Sequence, residues 1–173
     1  MKIKHGLLLS ILTVLPIASP SATEFTVTGM INKTTCAIND DSEGTIVLPD
    51  IQVRQMRTST GDIASREHIT VSCDDPDAFA TVEGRFTTNG EVDPATLALK
   101  NLITDASGAK DVGVQIIDPS SNTVITPNAQ EASVTLTMNQ GQATFDFGFA
   151  YVNLGAAGLG DVRVETTFVA TYQ

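Results

Sequence analysis

The last fourteen residues, 160–173, read GDVRVETTFVATYQ. From residue 162 onward, every second residue is apolar, aromatic or a threonine, and the residues between them are mostly polar. This alternation predicts a half-buried β-strand with one face toward a core and the other toward water. Because the strand runs almost to residue 173, we expect the C-terminus to be built into a sheet. The strand edge and the terminal carboxylate would then be available to a partner.

The same period of two recurs along most of the chain. Turn-forming residues separate the alternating segments, as in Asn89-Gly90 and the stretch 118–122. Many short strands at this spacing predict one all-β antiparallel domain, a sandwich or a barrel. The expected strands lie at 25–31, 43–48, 66–73, 78–86, 95–99, 111–117, 132–138, 143–151 and 161–172.

Residues 1–22 have the order of a secretory signal peptide. Lysines at positions 2 and 4 precede an apolar run at 6–17, and small, turn-prone residues follow at 18–22. The run is shorter than the ~20 residues that span a bilayer. We therefore expect export and cleavage after Ser21 or Ala22, which leaves a single domain at 23–173. The alternative is a buried N-terminal helix.

The mature domain would be strongly acidic. Removing residues 1–22 takes two basic residues and no acidic ones, so eight Lys and Arg face twenty Asp and Glu, a net charge of −12. Such a charge repels phosphate backbones and anionic lipid. We therefore expect neither nucleic acid nor a membrane surface as a partner.

Export also bears on Cys36 and Cys73, the two cysteines of the chain. Cysteines of exported proteins pair by default in an oxidising compartment, so we expect one disulfide between them. A free reactive thiol is the alternative, and the even count argues against it.

Residues that could carry catalysis or hold a metal are scarce. His68 is the one histidine after residue 22, and it lies in a strand-like segment. The acidic residues at 74–77 and 40–43 lack the spacing of known calcium loops, and Asp beside Pro is ordinary turn chemistry. No phosphate-binding loop, dinucleotide fingerprint or nucleophile elbow is present. We predict no catalytic, cofactor or metal site and no enzyme activity.

Several segments together resemble the type 1 (chaperone–usher) fimbrial subunits. The tail is the most specific of them, since Tyr172 is the penultimate residue and Gly160 is the fourteenth from the end. The other segments are 29–38 with the first cysteine, 46–49, 69–73 with the second cysteine, 86–90 and 112–118.

This resemblance implies an immunoglobulin-like antiparallel sandwich that is incomplete, its last strand supplied by a chaperone or a neighbouring subunit. It implies a periplasmic pilus chaperone, an outer-membrane usher and other pilus subunits as partners, and a route through the periplasm to the cell-surface fimbrium. The chain would be a structural pilus subunit that supports bacterial adhesion. The edge that faces the chaperone or the next subunit would comprise Gly160, Val162, Val164, Phe168, Tyr172 and Gln173.

A candidate donor strand precedes the domain at residues 23–28. Thr23, Phe25 and Val27 would enter a neighbour's groove, while the even-numbered residues would point away. The alternative is that Phe25 and Val27 begin this domain's own first strand. The segment is short for a major shaft subunit, which fits a tip or adaptor subunit or an earlier cleavage, for example after Ala18.

Two other functions compete with a structural pilin. One is a single-domain tip adhesin or adaptor that binds a host receptor directly. The other is a small secreted β-sandwich hydrolase, which the lack of tryptophan and of a catalytic motif disfavours.

Overall fold

The computed structural model describes residues 35–40 and 44–173. Within these residues the chain forms nine β-strands and two short 3-10 helices, Val53–Gln55 and Gln130–Ala132. The strands are β1 Cys36–Asp40, β2 Ser65–Cys73, β3 Thr81–Thr87, β4 Leu99–Lys100, β5 Val112–Asp118, β6 Thr123–Ile125, β7 Val134–Thr137, β8 Gln142–Asn153 and β9 Thr167–Tyr172.

The strands form two antiparallel sheets. The larger sheet has the order β1-β2-β8-β5-β4, with β6 also paired to β5. The smaller sheet has the order β7-β3-β9, so β9 lies at its edge. The two sheets pack face to face, and Phe86 of β3 meets Phe147 of β8 with ring centroids 4.8 Å apart. The prediction of an all-β antiparallel sandwich is confirmed.

The strand predictions differ from the structure at several elements. The strand expected at 95–99 is wrong for 95–98, because these residues form a turn and a loop before β4, which begins at Leu99. Residues 44–48 form no strand, so the strand expected at 43–48 is wrong. The C-terminal strand begins at Thr167 rather than at 161, because residues 162–166 have no strand partner among the described residues. Strands β1 and β6 were not expected as separate elements. The strand expected at 25–31 lies outside the described residues.

The core lies between the sheets and is rich in phenylalanine. Along β8, Phe145, Phe147 and Phe149 point inward and are buried. Phe145 and Phe147 stack with centroids 5.9 Å apart, and Phe168 of β9 contacts both rings edge-on or tilted. Gly84 of β3 allows this approach, because a Cβ there would lie 2.7 Å from ring atoms of Phe145 and Phe168.

The outer face of β5, in the larger sheet, is covered by the loop before β2. Gln115 of β5 is 1% exposed and fastens this loop. Its side-chain carbonyl accepts a hydrogen bond from Gly61 N–H at 2.8 Å, and its amide donates to Ser59 O and Thr96 O at 2.7 and 2.6 Å. Because β5 is thus covered on both faces, its residues are apolar nearly throughout.

The predicted disulfide is present. Cys36 and Cys73 face each other across the β1–β2 ladder and are joined, closing a sequence separation of 37 residues. The bond fastens β1 to the edge of the larger sheet, where β2 is its one partner among the described strands.

Replacing Cys36 with Ser should lower the free energy of unfolding by about 4 kcal/mol, because the unfolded chain loses its cross-link. Urea unfolding of the oxidised protein measures this loss. Reduced protein with the natural sequence is the matched control and should lose a similar amount. Equal stability of the oxidised protein and the Cys36→Ser variant would contradict a structural disulfide.

Candidate functional site

An open cleft runs along one side of the sandwich, between the C-terminal segment and residues 44–48. It has a volume of about 270 Å³ and an apolar floor formed by side chains of both sheets. Its lining comprises Gly44, Ile46, Leu48, Glu67, Ile69, Phe86, Val114, Phe149, Val164, Glu165, Thr166 and Phe168.

The first border of the cleft is the extended C-terminal segment, 162–172. Its even-numbered side chains turn toward the core, and Val162, Val164 and Phe168 pack against the buried cluster. Most odd-numbered side chains, such as Arg163 and Glu165, are exposed. The alternation predicted from the sequence therefore describes this segment correctly, including its part before β9.

The backbone hydrogen bonds of this segment also alternate. Gln173 and Thr81 exchange both of their backbone bonds, at 2.9 and 3.0 Å, so β9 bonds to β3 through odd-numbered residues. Arg163 continues the pattern, since its carbonyl accepts from Leu102 N–H at 2.8 Å and its N–H donates to Asn101 Oδ1 at 2.9 Å. The carbonyl of Glu165 accepts from the Thr88 hydroxyl at 2.7 Å.

The even-numbered residues consequently direct their N–H and C=O groups to the other side, toward the cleft. Successive residues of an extended chain point these groups in opposite directions. Among the described residues, none accepts from or donates to the backbone of Val162, Val164 or Thr166. The cleft is therefore bordered by a row of backbone groups that have no partner in the described part of the chain, which is the condition of a sheet edge.

The second border is the segment 44–50. Ile46 and Leu48 pack against the core, whereas Val47 between them is 80% exposed. The side chains thus alternate as in a strand, which is why the sequence pattern predicted one. Residues 45–50 nevertheless make no backbone hydrogen bond to another described segment.

The cleft continues past Leu48 and Val162 into a second cavity of about 350 Å³. Leu48 lines both spaces, and Val162 and Gly160 form the far side of the second. Tyr151 lies there beside Asp50, and burial together with the Asp50 carboxylate raises the pKa of its phenol. The hydroxyl therefore stays neutral at ordinary pH. Leu159, on the rim, is 87% exposed.

The two borders run in opposite directions. The first cavity is lined by 44–48 and 164–168, and the second by 48–53 and 158–162. From the first cavity to the second, residue numbers therefore increase along one border and decrease along the other, so the two borders are antiparallel. A strand lying between them would be antiparallel to one border and parallel to the other.

One polar residue interrupts the apolar floor. Glu67 of β2 is 5% exposed and lies on the inward face with Ile69 and Val71. Sequence analysis assigned none of Glu67, Ile46 and Leu48 to a site, although it listed 46–49 among the segments that resemble the family. Their position in the alternation was the available signal, since each shares the parity of its inward-facing neighbours.

The structure places some of the predicted edge residues at the cleft and others away from it. Val162, Val164 and Phe168 line the cleft or its extension. Tyr172 packs on Phe79 with ring centroids 5.3 Å apart, and the Gln173 backbone pairs with Thr81 instead. Gly160 lies on the second cavity with φ 141°, where a Cβ would be 2.4 Å from Ser107 O. The proposed donor residues Thr23, Phe25 and Val27 lie outside the described residues.

The residues considered for chemistry are dispersed. His68 is half-exposed on the outer face, with its Nδ1 3.8 Å from Asp146 Oδ1. Asp75 accepts a hydrogen bond from Asp77 N–H at 3.1 Å, as in an ordinary turn. In the described part of the chain, no three His, Cys, Asp or Glu side chains are grouped to hold a metal ion, and no helix is long and apolar enough to cross a membrane.

Comparison with known proteins identifies the family. The family model for fimbrial proteins matches residues 25–173. The chain belongs to the fimbrial protein family. It is 24% identical over 130 residues to fimbrial subunit ElfA of Escherichia coli strain K12, covering 75% of this chain and 72% of ElfA. It is 29% identical over 153 residues to the type-1 fimbrial protein A chain of Escherichia coli, covering 84% and 79%.

The fold of this fimbrial subunit is also found among solved structures. The P pilus rod subunit PapA matches with a TM-score of 0.58 at 16% identity, covering 80% of this chain and 99% of PapA. The shared fold is the immunoglobulin-like sandwich that the resemblance implied. Family membership makes the chain a structural subunit of a surface fimbrium that assembles with other pilus subunits.

Replacing Phe168 with Ala should lower the free energy of unfolding by about 3 kcal/mol, because the ring joins the edge strand to the core. Thr171→Ala, on the exposed face of the same strand, is the matched control and should stay within about 0.5 kcal/mol. Urea unfolding compares the two variants. Equal losses would contradict the assignment of the even-numbered face to the core.

Proposed function

We propose that this fimbrial subunit polymerises by accepting a β-strand from a neighbouring subunit into its cleft. The observation that carries the proposal is the row of backbone groups at Val162, Val164 and Thr166, which lack a partner among residues 35–40 and 44–173, beside an apolar floor. An added strand would bond to those groups and fill the floor with alternate side chains. Strand addition of this kind gives affinity through the main chain and specificity through pockets.

The open edge also supports a need for a chaperone before assembly. An apolar cleft beside an unpaired edge invites pairing with any free strand, which leads to aggregation. A periplasmic chaperone would cover the edge after export and bind the carboxylate of Gln173, and an outer-membrane usher would exchange it for the next subunit. Strand addition and strand exchange make and break no covalent bond, so the subunit would be no enzyme and would need no cofactor.

The donor would be the segment 23–28 of another copy or of a related subunit. Thr23, Phe25 and Val27 alternate in the spacing that a groove lined by alternate residues requires. In a homopolymer each subunit would then donate one strand and accept another. A heterologous, head-to-tail contact of this kind generates an open fibre.

Replacing Phe25 with Asp should stop the mature subunit from inserting into a neighbour, because a carboxylate would enter an apolar cleft. The cleft of the variant should still accept a synthetic peptide of residues 22–28. Thermal unfolding of the variant with and without peptide measures this, since a ligand that binds only the folded state raises the Tm. We expect an increase of several degrees at saturating peptide.

Thr26→Asp is the matched control, because residue 26 would point away from the groove. This variant should polymerise like the natural subunit in a size-exclusion assay. Polymerisation of Phe25→Asp at the natural rate would show that 23–28 is not the donor. No change of Tm with peptide would mean that the cleft does not take this strand.

Direct receptor binding is a second proposal, and the name of one relative supports it. Laminin-binding fimbrial subunit ElfA of Escherichia coli O157:H7 is 23% identical over 130 residues, covering 75% of this chain. Binding of the purified subunit to a laminin-coated surface tests this function. Binding no stronger than to an albumin-coated surface would reject it.

A further inference from the structure

The two ends of the sandwich are formed by different segments of the chain. At one end, which we call the base, Asp74 N–H donates to Thr35 O at 3.1 Å and Gln173 N–H donates to Thr81 O at 2.9 Å. Strand β8 begins at the base, beside the end of β2, and reaches the second cavity at Tyr151. At about 3.3 Å per residue, β8 places that cavity roughly 30 Å from the base. The second cavity therefore marks the opposite end, which we call the cavity end.

Two exposed apolar side chains lie at the cavity end. Leu159 is 87% exposed, Ile51 is 36% exposed, and both line the second cavity. The loop that carries Leu159 is fixed on both sides. Gly158 N–H donates to Lys110 O at 2.9 Å, and Asp161 exchanges two backbone bonds with the loop before β5, at 2.8 and 2.9 Å. A partner that covers Leu159 would therefore have little loop motion to restrict.

The charged side chains at the base have one sign. Asp74, Asp75 and Asp77 are all exposed there. The described segments that form the base contain no Lys or Arg; they are 73–81, 139–142 and 171–173. Two bases brought close together would therefore repel each other.

The cavity end carries charges of both signs. Arg54 and Lys110 are exposed, and neither has an ion-pair partner among the described residues. Three carboxylates lie at this end as well, those of Asp50, Asp111 and Asp161. The free cations make this end a better electrostatic match for the acidic base than a second base would be.

The position of a donating subunit depends on the direction in which its strand enters the cleft. A strand antiparallel to 162–168 ends beside Val162, at the cavity end, whereas a parallel strand ends toward the base. Residues 29–34 connect the donor segment to Thr35, and six residues span at most about 20 Å. Parallel insertion would therefore hold two acidic bases near each other. Antiparallel insertion brings the base of the donor beside Leu159.

We propose that Leu159 and Ile51 form a docking surface for the base of the donating subunit, a second copy of this chain. Arg54 and Lys110 flank this surface and would face the carboxylates of the base. The surface is small, but the inserted strand would hold the two domains at an effective concentration of about millimolar order, so a weak contact suffices. The contact would fix the angle between successive subunits and stiffen the fibre. This inference rests on the proposed function.

Fibre stiffness tests the docking surface separately from strand acceptance. Fibres assembled from the purified mature Leu159→Asp subunit should have a severalfold shorter persistence length in electron micrographs than fibres of the natural subunit, because a new carboxylate would face an acidic base. The same change in the Phe25→Asp subunit should leave the rise of Tm with peptide 22–28 unaltered, since the peptide has no base. Val47→Asp is the matched control. It places the same charge on an apolar side chain that is 80% exposed and not at the cavity end, so its fibres should keep the natural stiffness.

A second change identifies the partner surface. Adding Asp74→Arg to the Leu159→Asp subunit should restore much of the stiffness, because each contact would then join opposite charges. Adding Glu131→Arg, an equal change of net charge at an exposed residue away from the base, should not. If Leu159→Asp fails to fold, Leu159→Ser replaces it and should also shorten the persistence length.

The possible results separate the two proposals. Natural stiffness of the Leu159→Asp and Leu159→Ser fibres would overturn the docking surface and leave strand acceptance intact. Equal rescue by Asp74→Arg and Glu131→Arg would overturn the assignment of the base as the partner. Failure of the natural subunit to form fibres, together with an unchanged Tm in the presence of the peptide, would overturn the proposed function itself.

Discussion

The central constraint of the structure is that the C-terminal segment forms backbone hydrogen bonds along one of its two edges and leaves the other open over residues 162–166. Odd-numbered residues, from Arg163 to Gln173, bond toward β3, Thr88 and the loop after β4, while the even-numbered N–H and C=O groups of 162–166 face the cleft. Backbone polar groups are strong donors and acceptors that folded proteins nearly always satisfy. The even-numbered side chains meanwhile complete the core. In Val162 and Val164, therefore, the side chain is packed, while the backbone N–H and C=O have no partner among the described residues.

The rest of the sandwich gives this edge a rigid base. The larger sheet has its covering loop fastened by Gln115 and its outer strand tied by the disulfide. The smaller sheet has three strands, and Phe168 anchors its edge in the phenylalanine cluster. Because the cleft lies beside β9, a strand placed there would enlarge the smaller sheet without disturbing the core. The proposed assembly is therefore the completion of a fold.

The sequence predicted those features that depend on alternation or on compartment. The period of two in 162–172 gave the inward face correctly, and the expected export implied the disulfide. The prediction of a strand at 43–48 was wrong, because a β-strand is defined by hydrogen bonds to a neighbouring strand. The alternation of the sequence indicates only which side chains are buried. Glu67 was not found because its neighbours Arg66 and His68 make it resemble a charged surface residue. The pairing of strands into two sheets depends on contacts distant in sequence, which local patterns do not determine.

Amide hydrogen exchange at the edge tests the central claim most directly. The sample is the mature Phe25→Asp subunit, with and without saturating peptide 22–28, followed residue by residue by NMR. Strand insertion predicts that the amides of Val164 and Thr166 become strongly protected. The amides of Arg163 and Thr167, which already face Asn101 and β3, should change little. Unchanged exchange at Val164 and Thr166 while the peptide is bound would contradict the account, because the cleft would then not be the site of strand addition.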